Sequence, residues 1–221
     1  MLTAKKQIAA WDFADWILGC MVLYGEVEDM SEEILLRNCA PTLAGLKTGS
    51  IFGCAYADEN ALRESLRGWN RRLLQKGLRV VPLQYCGGRA LLYVYRPARL
   101  ADDLRQTAAA AVLSPRGYCP EKPERCVVQL MQRLAQKGDF PHEIGLFIGY
   151  PPHDVRAFIE NGAKNCKCVG CWKVYGDVEA AKRQFARFKK CTAVYCDKHK
   201  KGRTVEQLIV SERKKITSLY M

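Results

Sequence analysis

Apolar positions recur at helical spacing along much of the chain and run together or alternate in a few short stretches. Ile8, Trp11, Leu18 and Val22 form a helical stripe broken by Asp15, and Glu32 to Arg37 reads as a second, short helix. Pro, Gly, Thr and Ser dominate the first part of 39–56, which reads as a loop. Ser50 to Tyr56 then reads as a strand weakened by Gly53. Leu62, Leu66, Trp69 and Leu73 follow at spacings of 4, 3 and 4, one face of an amphipathic helix. Asp58 or Asn60 can cap its start, and Gly77 can end it.

Leu78 to Cys86 and Arg89 to Arg96 are strand-like and joined by Gly87-Gly88, a hairpin signal; Pro82 places the first of them at an edge or at a bulge. Pro97 opens a helix to about Thr107, followed by an irregular, proline-containing stretch to Pro123. Val127, Leu130, Met131 and Leu134 mark the next helix. Then come a strand over Glu143 to Tyr150, a helix over Pro152 to Glu160 and a strand over Cys171 to Tyr175. A long helix from Asp177 buries Ala181, Phe185 and Phe188. Alternating helices and strands with one hairpin predict an α/β (mixed α+β) fold, a mixed sheet of about five strands covered by helices. No repeat or low-complexity tract divides the 221 residues, so the expectation is one domain over 1–221.

Composition then narrows the setting. The longest apolar stretch, Ile8 to Tyr24, carries Asp12 and Asp15, which argues against both a membrane span and a signal peptide, and the expected location is cytoplasmic. Charge is unevenly spread. Residues 164–221 hold 15 Lys/Arg against 5 Asp/Glu, a net of +10 out of +12 for the chain. Such asymmetry points to an anionic partner for the basic, cysteine-rich C-terminal part, or to a solvated lysine-rich face.

Eleven cysteines in a chain without an export signal point to metal or redox chemistry where they cluster, and to small buried hydrophobes where they scatter, as at Cys20, Cys54 and Cys86. The cluster is Cys166, Cys168 and Cys171, then Cys191 and Cys196. Thiolates bind zinc or an iron–sulfur cluster, and neighbouring lysines favour the thiolate. The expected ligands are Cys166, Cys168, Cys191 and Cys196, with Cys171 as a further candidate. They are expected to converge, because a strand of about six residues and the helix that returns alongside it to Lys190 span about the same distance. Thiol exchange and purely structural cysteines are the competing readings.

A second candidate is Lys47, Thr48, Gly49 and Ser50, where an amine, hydroxyls and a small residue can cradle an anion ahead of a strand; a simple turn explains the same residues. A third is the basic helix, with Lys182, Arg187, Lys189 and Lys190 as its docking cations. Phe185 and Phe188 fall on its buried stripe, which weakens a base-stacking role. His142 and His153 have no partner placed by sequence for acid–base work.

Three stretches carry a resemblance: CAPTLAGLKTGS at 39–50, HEIGLFIGYPPHDVRAFIENGAKNCKC at 142–168, and WKVYGD at 172–177 with the helix after it to KKCTAVYC at 189–196. With YVYRP at 93–97, they closely resemble the bacterial family known as domain of unknown function 3793, over nearly the whole chain. The resemblance supplies no activity, cofactor or catalytic residue. It implies that cysteines are kept at Cys39, Cys166, Cys168, Cys191 and Cys196, and that an aromatic residue is common where this chain has Cys171.

The leading expectation is therefore an accessory protein that binds metal or exchanges electrons through the C-terminal cysteines and docks an acidic protein by its basic helix. The alternatives are a nucleic-acid or anion-binding module with structural cysteines, and an enzyme using the Lys47–Ser50 loop. No membrane partner is expected.

Overall fold

A computed structural model describes residues 30–136 and 139–211. The stripe from Ile8 to Val22 lies outside the described residues. Helix α1 (Glu32–Leu43) is capped by Ser31, whose hydroxyl accepts from Ile34 N. It runs six residues past the predicted stop, through Pro41. A proline in the last turn removes only one helical hydrogen bond. Its carbonyl then accepts from Leu46 N and Lys47 N and turns the chain into β1 (Gly49–Ala55).

Helix α2 (Glu59–Leu74) starts at Asp58, which accepts from Asn60 N and Ala61 N, and it buries Leu62, Leu66, Trp69 and Leu73. Gly77, at φ +76°, follows its end as expected. Strands β2 (Arg79–Cys86) and β3 (Arg89–Tyr95) form the predicted hairpin. Gly87 and Gly88 both have positive φ, which a two-residue turn matched to strand twist requires.

The sheet is antiparallel throughout, with three strands in the order β1-β3-β2. The register shifts between Pro82 and Gln84, so β2 is both an edge strand and bulged. The bulge reverses the facing of the rest of the strand: Val81 and Leu83 pack on one face, whereas Tyr85 joins Val80 on the other.

Central strand β3 is covered on both sides, which explains its unbroken apolar run. Leu91, Tyr93 and Tyr95 face one cluster, most of whose other members come from α3 (Pro97–Arg105), α4 (Thr107–Leu113), α5 (Pro123–Ala135), the short α6 (Ile144–Phe147) and α7 (Pro152–Glu160). Ala90, Leu92 and Val94 face a second cluster built with α1, α2 and α9 (Val205–Leu208). Strands β4 (Cys168–Val169) and β5 (Lys173–Val174) make a separate ribbon of two residue pairs. Helix α8 (Val178–Lys200) follows it.

The architecture is mixed α+β as expected, but the sheet is not five-stranded. The segment predicted as a strand over 143–150 folds as α6 and a turn, with Tyr150 N bonded to Gly145 O. Every residue from Ile144 to Ile148 is buried, and a fully buried run carries no period that separates helix from strand. The strand predicted from Cys171 is the outer half of the short ribbon. Gly149 closes the α6 turn at φ +77°, and a Cβ there would stand 2.6 Å from Thr48 Oγ1. Gly149→Ala should therefore lower stability by more than the roughly 1–2 kcal/mol of a left-handed alanine alone, read as a lower urea midpoint at unchanged slope.

Candidate functional site

The C-terminal end of α1, the start of β1, the Gly149-Tyr150 turn and the β4–β5 ribbon meet at one end of the sheet. Arg96, at the end of β3, is fully buried there. Its guanidinium donates to the carbonyls of Thr42 (2.8 Å), Leu43 (2.8 Å) and Val210 (2.7 Å). The first two belong to the last turn of α1, where carbonyls lack helical partners and the dipole favours a cation.

Three of the four residues expected to cradle an anion are engaged inside the protein. Thr48 donates to Asp103 of α3. Ser50 shares a 2.9 Å hydrogen bond with Thr42. Gly49 lies against Tyr93, whose ring leaves no space for a Cβ. The open cradle is replaced by the first residues of β1, because the helix end and Arg96 draw that backbone inward.

Lys47 stands apart from this set. Its side chain is half-buried, and Nζ lies 5.2 Å from the centre of the Tyr150 ring. The thiols of Cys171 and Cys39 act on it electrostatically. Loss of water pushes its ammonium down from 10.5 to about 8, against the opposing pull of Cys171 and then Cys39. Burial pushes both thiols up, with Lys47 opposing it. These two sulfurs are therefore neutral packing groups at neutral pH, not thiolates.

The ribbon is fastened by Asp154, a buried carboxylate in the first turn of α7. Oδ2 accepts from Trp172 Nε1 at 2.7 Å, and Oδ1 accepts from Tyr175 N (2.8 Å) and Gly176 N (2.9 Å). His153 Nε2 lies 3.2 Å from the same Oδ1. Trp172 packs between Tyr150 and Phe185 of α8, with ring centres 5.1 and 4.5 Å away. Gly170 fits under Phe185, where a Cβ would overlap the ring.

The expected four-sulfur site is not formed. Among the described residues no group of three or more Cys, His, Asp or Glu side chains is placed to hold a metal ion. The physical reason is the shortness of the ribbon and the continuity of α8, which does not end near Lys190. Cys168 is near enough to Lys182, in the first turns of that helix, to act on it electrostatically. Cys191 is nine residues further on, about 13 Å along the axis. Sulfurs sharing one zinc ion stand within roughly 4 Å of each other. Cys191 and Cys196, five residues apart on one helix, also point about 140° apart. Cys166 and Cys171 are both half-exposed; Cys166 acts electrostatically on Tyr175, and Lys47 on Cys171.

The cationic residues do share a surface. Lys182, Arg183, Arg187, Lys189 and Lys190 are exposed on α8, and only Ala181 and Phe188 of that helix are buried outright. No helix among the described residues is long and apolar enough to cross a membrane. Arg96 and Asp154 are the residues that sequence reasoning missed as organisers. The only available signals were an arginine ending an apolar strand and an acid where a helix start already accounted for one.

The model of a family described as a protein of unknown function matches residues 35–209. No curated protein and no solved structure matches the chain.

Removing the Asp154 carboxylate strands three donors. Asp154→Ala should cost roughly 3 kcal/mol and speed amide exchange at Tyr175 and Gly176 in particular. Lys47 has a distinct signature. The folded protein releases its proton before the unfolded chain does, so this group adds stability as pH rises between about 8 and 10.5. Lys47→Met should be more stable than wild type below that window, by a margin that shrinks as pH rises through it, as urea unfolding across pH would show.

Proposed function

Because this chain belongs to the domain of unknown function 3793 family, whose description names no activity, we propose from its own surface that it is a docking module that binds an acidic protein through the exposed face of α8. The observation that carries this is the block Lys182 to Lys190. Five cations occupy nine residues there with no carboxylate among them, and all five are exposed. Ala186 lies among them and leaves room for close approach.

The surroundings favour a protein over a nucleic acid. Phe185, Phe188 and Tyr195 turn toward the body of the protein, leaving no platform on which bases can stack. Glu179 and Asp197 share the exposed side and pair with Lys182 (3.0 Å) and Lys201 (2.8 Å). They bracket the cationic block. A phosphate backbone tracking the whole helix would meet both carboxylates, whereas an acidic patch flanked by cations would complement the sequence of signs. The cysteines enter this reading as packing groups.

The test compares an acidic peptide with duplex DNA of equal charge, each labelled and titrated with the full-length chain by fluorescence anisotropy. The peptide is expected to bind more tightly. Its affinity should fall at least about tenfold when the screening length drops from ~10 Å at 0.1 M salt to ~3 Å at 1 M. Reversing Arg187, Lys189 and Lys190 to glutamate should remove binding and leave the unfolding free energy within ~0.5 kcal/mol of wild type. Tighter binding to DNA would replace the acidic protein with a nucleic acid. Binding insensitive to salt or to the reversal would refute docking on this face.

A further inference from the structure

Cys119 and Cys126 flank the start of α5, and the fold holds them together. Cys126 is the fourth residue of that helix. Side chains on a helix lean toward its N-terminus, which carries this sulfur back over the preceding loop. Sγ donates to the Cys119 carbonyl at 3.0 Å, and the same carbonyl accepts from Lys122 N at 2.9 Å. The two thiols are near enough to act on each other electrostatically. The loop is itself fastened. Gln129 Nε2 donates to Gly117 O at 2.9 Å, the Tyr118 hydroxyl donates to the buried Glu143 at 3.0 Å, and Pro120 is buried. Cys119 is exposed, whereas Cys126 lies in the cluster around Tyr93 and Phe147. One thiol thus meets solvent, and a second waits behind it.

We propose that Cys119 and Cys126 form a reversible disulfide when the protein meets a hydroperoxide. The exposed Cys119 sulfur attacks one peroxide oxygen, and the O–O bond breaks. With hydrogen peroxide the other oxygen leaves as water, carrying the thiol proton, and Cys119 becomes a sulfenic acid. The Cys126 sulfur then attacks the Cys119 sulfur. The S–S bond forms, the S–O bond breaks, and a second water carries off the Cys126 proton. Two thiols and one peroxide give one disulfide and two waters, and an external thiol reverses the step by exchange. A disulfide needs its Cβ atoms about 3.8 Å apart. The movement that remains falls to the Cys119 side chain, which is exposed and changes rotamer readily. Burial pushes the Cys126 thiol up, which keeps it in reserve until Cys119 is oxidised. Lys122 N still holds the Cys119 carbonyl after the S–H donor is gone, so the bridge strands no backbone group. It ties the loop to the helix whose Leu130 and Leu134 cover the sheet. The pair uses no residue of α8 and stands without the docking reading.

The test gives the reduced, folded, full-length chain one equivalent of hydrogen peroxide, alkylates the remaining thiols and maps tryptic peptides without reductant. The main product should join peptides 117–125 and 126–133, in about tenfold excess over any other cysteine pair because the two thiols are held together. Dithiothreitol should undo it. Dimedone, which traps sulfenic acids, separates the two steps. Cys126→Ala should leave Cys119 as the trapped sulfenic acid, and Cys119→Ser should leave Cys126 unoxidised. Equal trapping of Cys119 with and without Cys126 would overturn the proposal. So would a wild-type map in which other cysteines pair in preference, or in which Cys119 passes to sulfinic acid while Cys126 stays a free thiol. If Cys126→Ala does not fold, the wild-type map still decides.

Discussion

A guanidinium with no access to water holds one end of this fold together. Arg96 must keep its charge, since an arginine does not give up its proton in a protein. Its cost of burial is met by three carbonyl oxygens: those of Thr42 and Leu43 at the end of α1, and that of Val210 beyond α9. Each partner thereby fixes the other. The backbone of Arg96 also bonds Thr48 O, which carries the lock into the start of β1. The turn between Leu43 and Thr48, with Lys47 in it, is positioned from both sides by this single residue.

From that lock the two covered faces of the sheet are joined by α8. Phe185 reaches Trp172, which packs on the cluster around Tyr93 and Phe147. Tyr195 and Cys196, further along the same helix, pack on the cluster around Leu36 and Leu92. A helix of 23 residues is about 34 Å long, enough to pass from one side of a three-stranded sheet to the other. It contacts the body along a narrow stripe, so most of its circumference faces solvent. The cationic side chains follow from that geometry: a helix that buries so little must be polar elsewhere to stay in water.

The elements legible in the sequence were those with a clear period or a local signal. The stripe of α2, its Asp58 cap, the glycine hairpin and the irregularity at Pro82 all depend on neighbours within a few residues. The failures share a cause, which is that long-range packing decided them. Pro41 suggested a loop, yet Cys39, Ala40 and Leu43 are buried and keep the helix going. The 144–148 run is apolar on every side and signals burial without signalling shape. At the site, Lys47 was picked out by residue type, but nothing near it in sequence announces Tyr150 or Cys171. The cysteine convergence assumed a strand long enough to be retraced by a helix, and the ribbon has two pairs. The cationic face of α8 was readable because a helical period separates its exposed side from Phe185 and Phe188.

The manner in which the chain closes has a consequence for how it is made. Val205 N bonds the carboxylate of Glu32, across 173 positions in sequence. Arg72 bridges Glu32 and Glu206, and Val210 N bonds Leu43 O. Val205, Leu208 and Ile209 complete the cluster that α1 and α2 begin. On the ribosome, α1 emerges long before these partners exist. The cluster it shares with α2 and β3 stays incomplete until some 160–170 further residues have been added, roughly 10–30 s at ordinary rates of synthesis. Contacts so distant along the chain form late and slowly. The early helices are thus a natural client surface for chaperones, and a chain halted before residue 205 would leave that surface permanently open to aggregation.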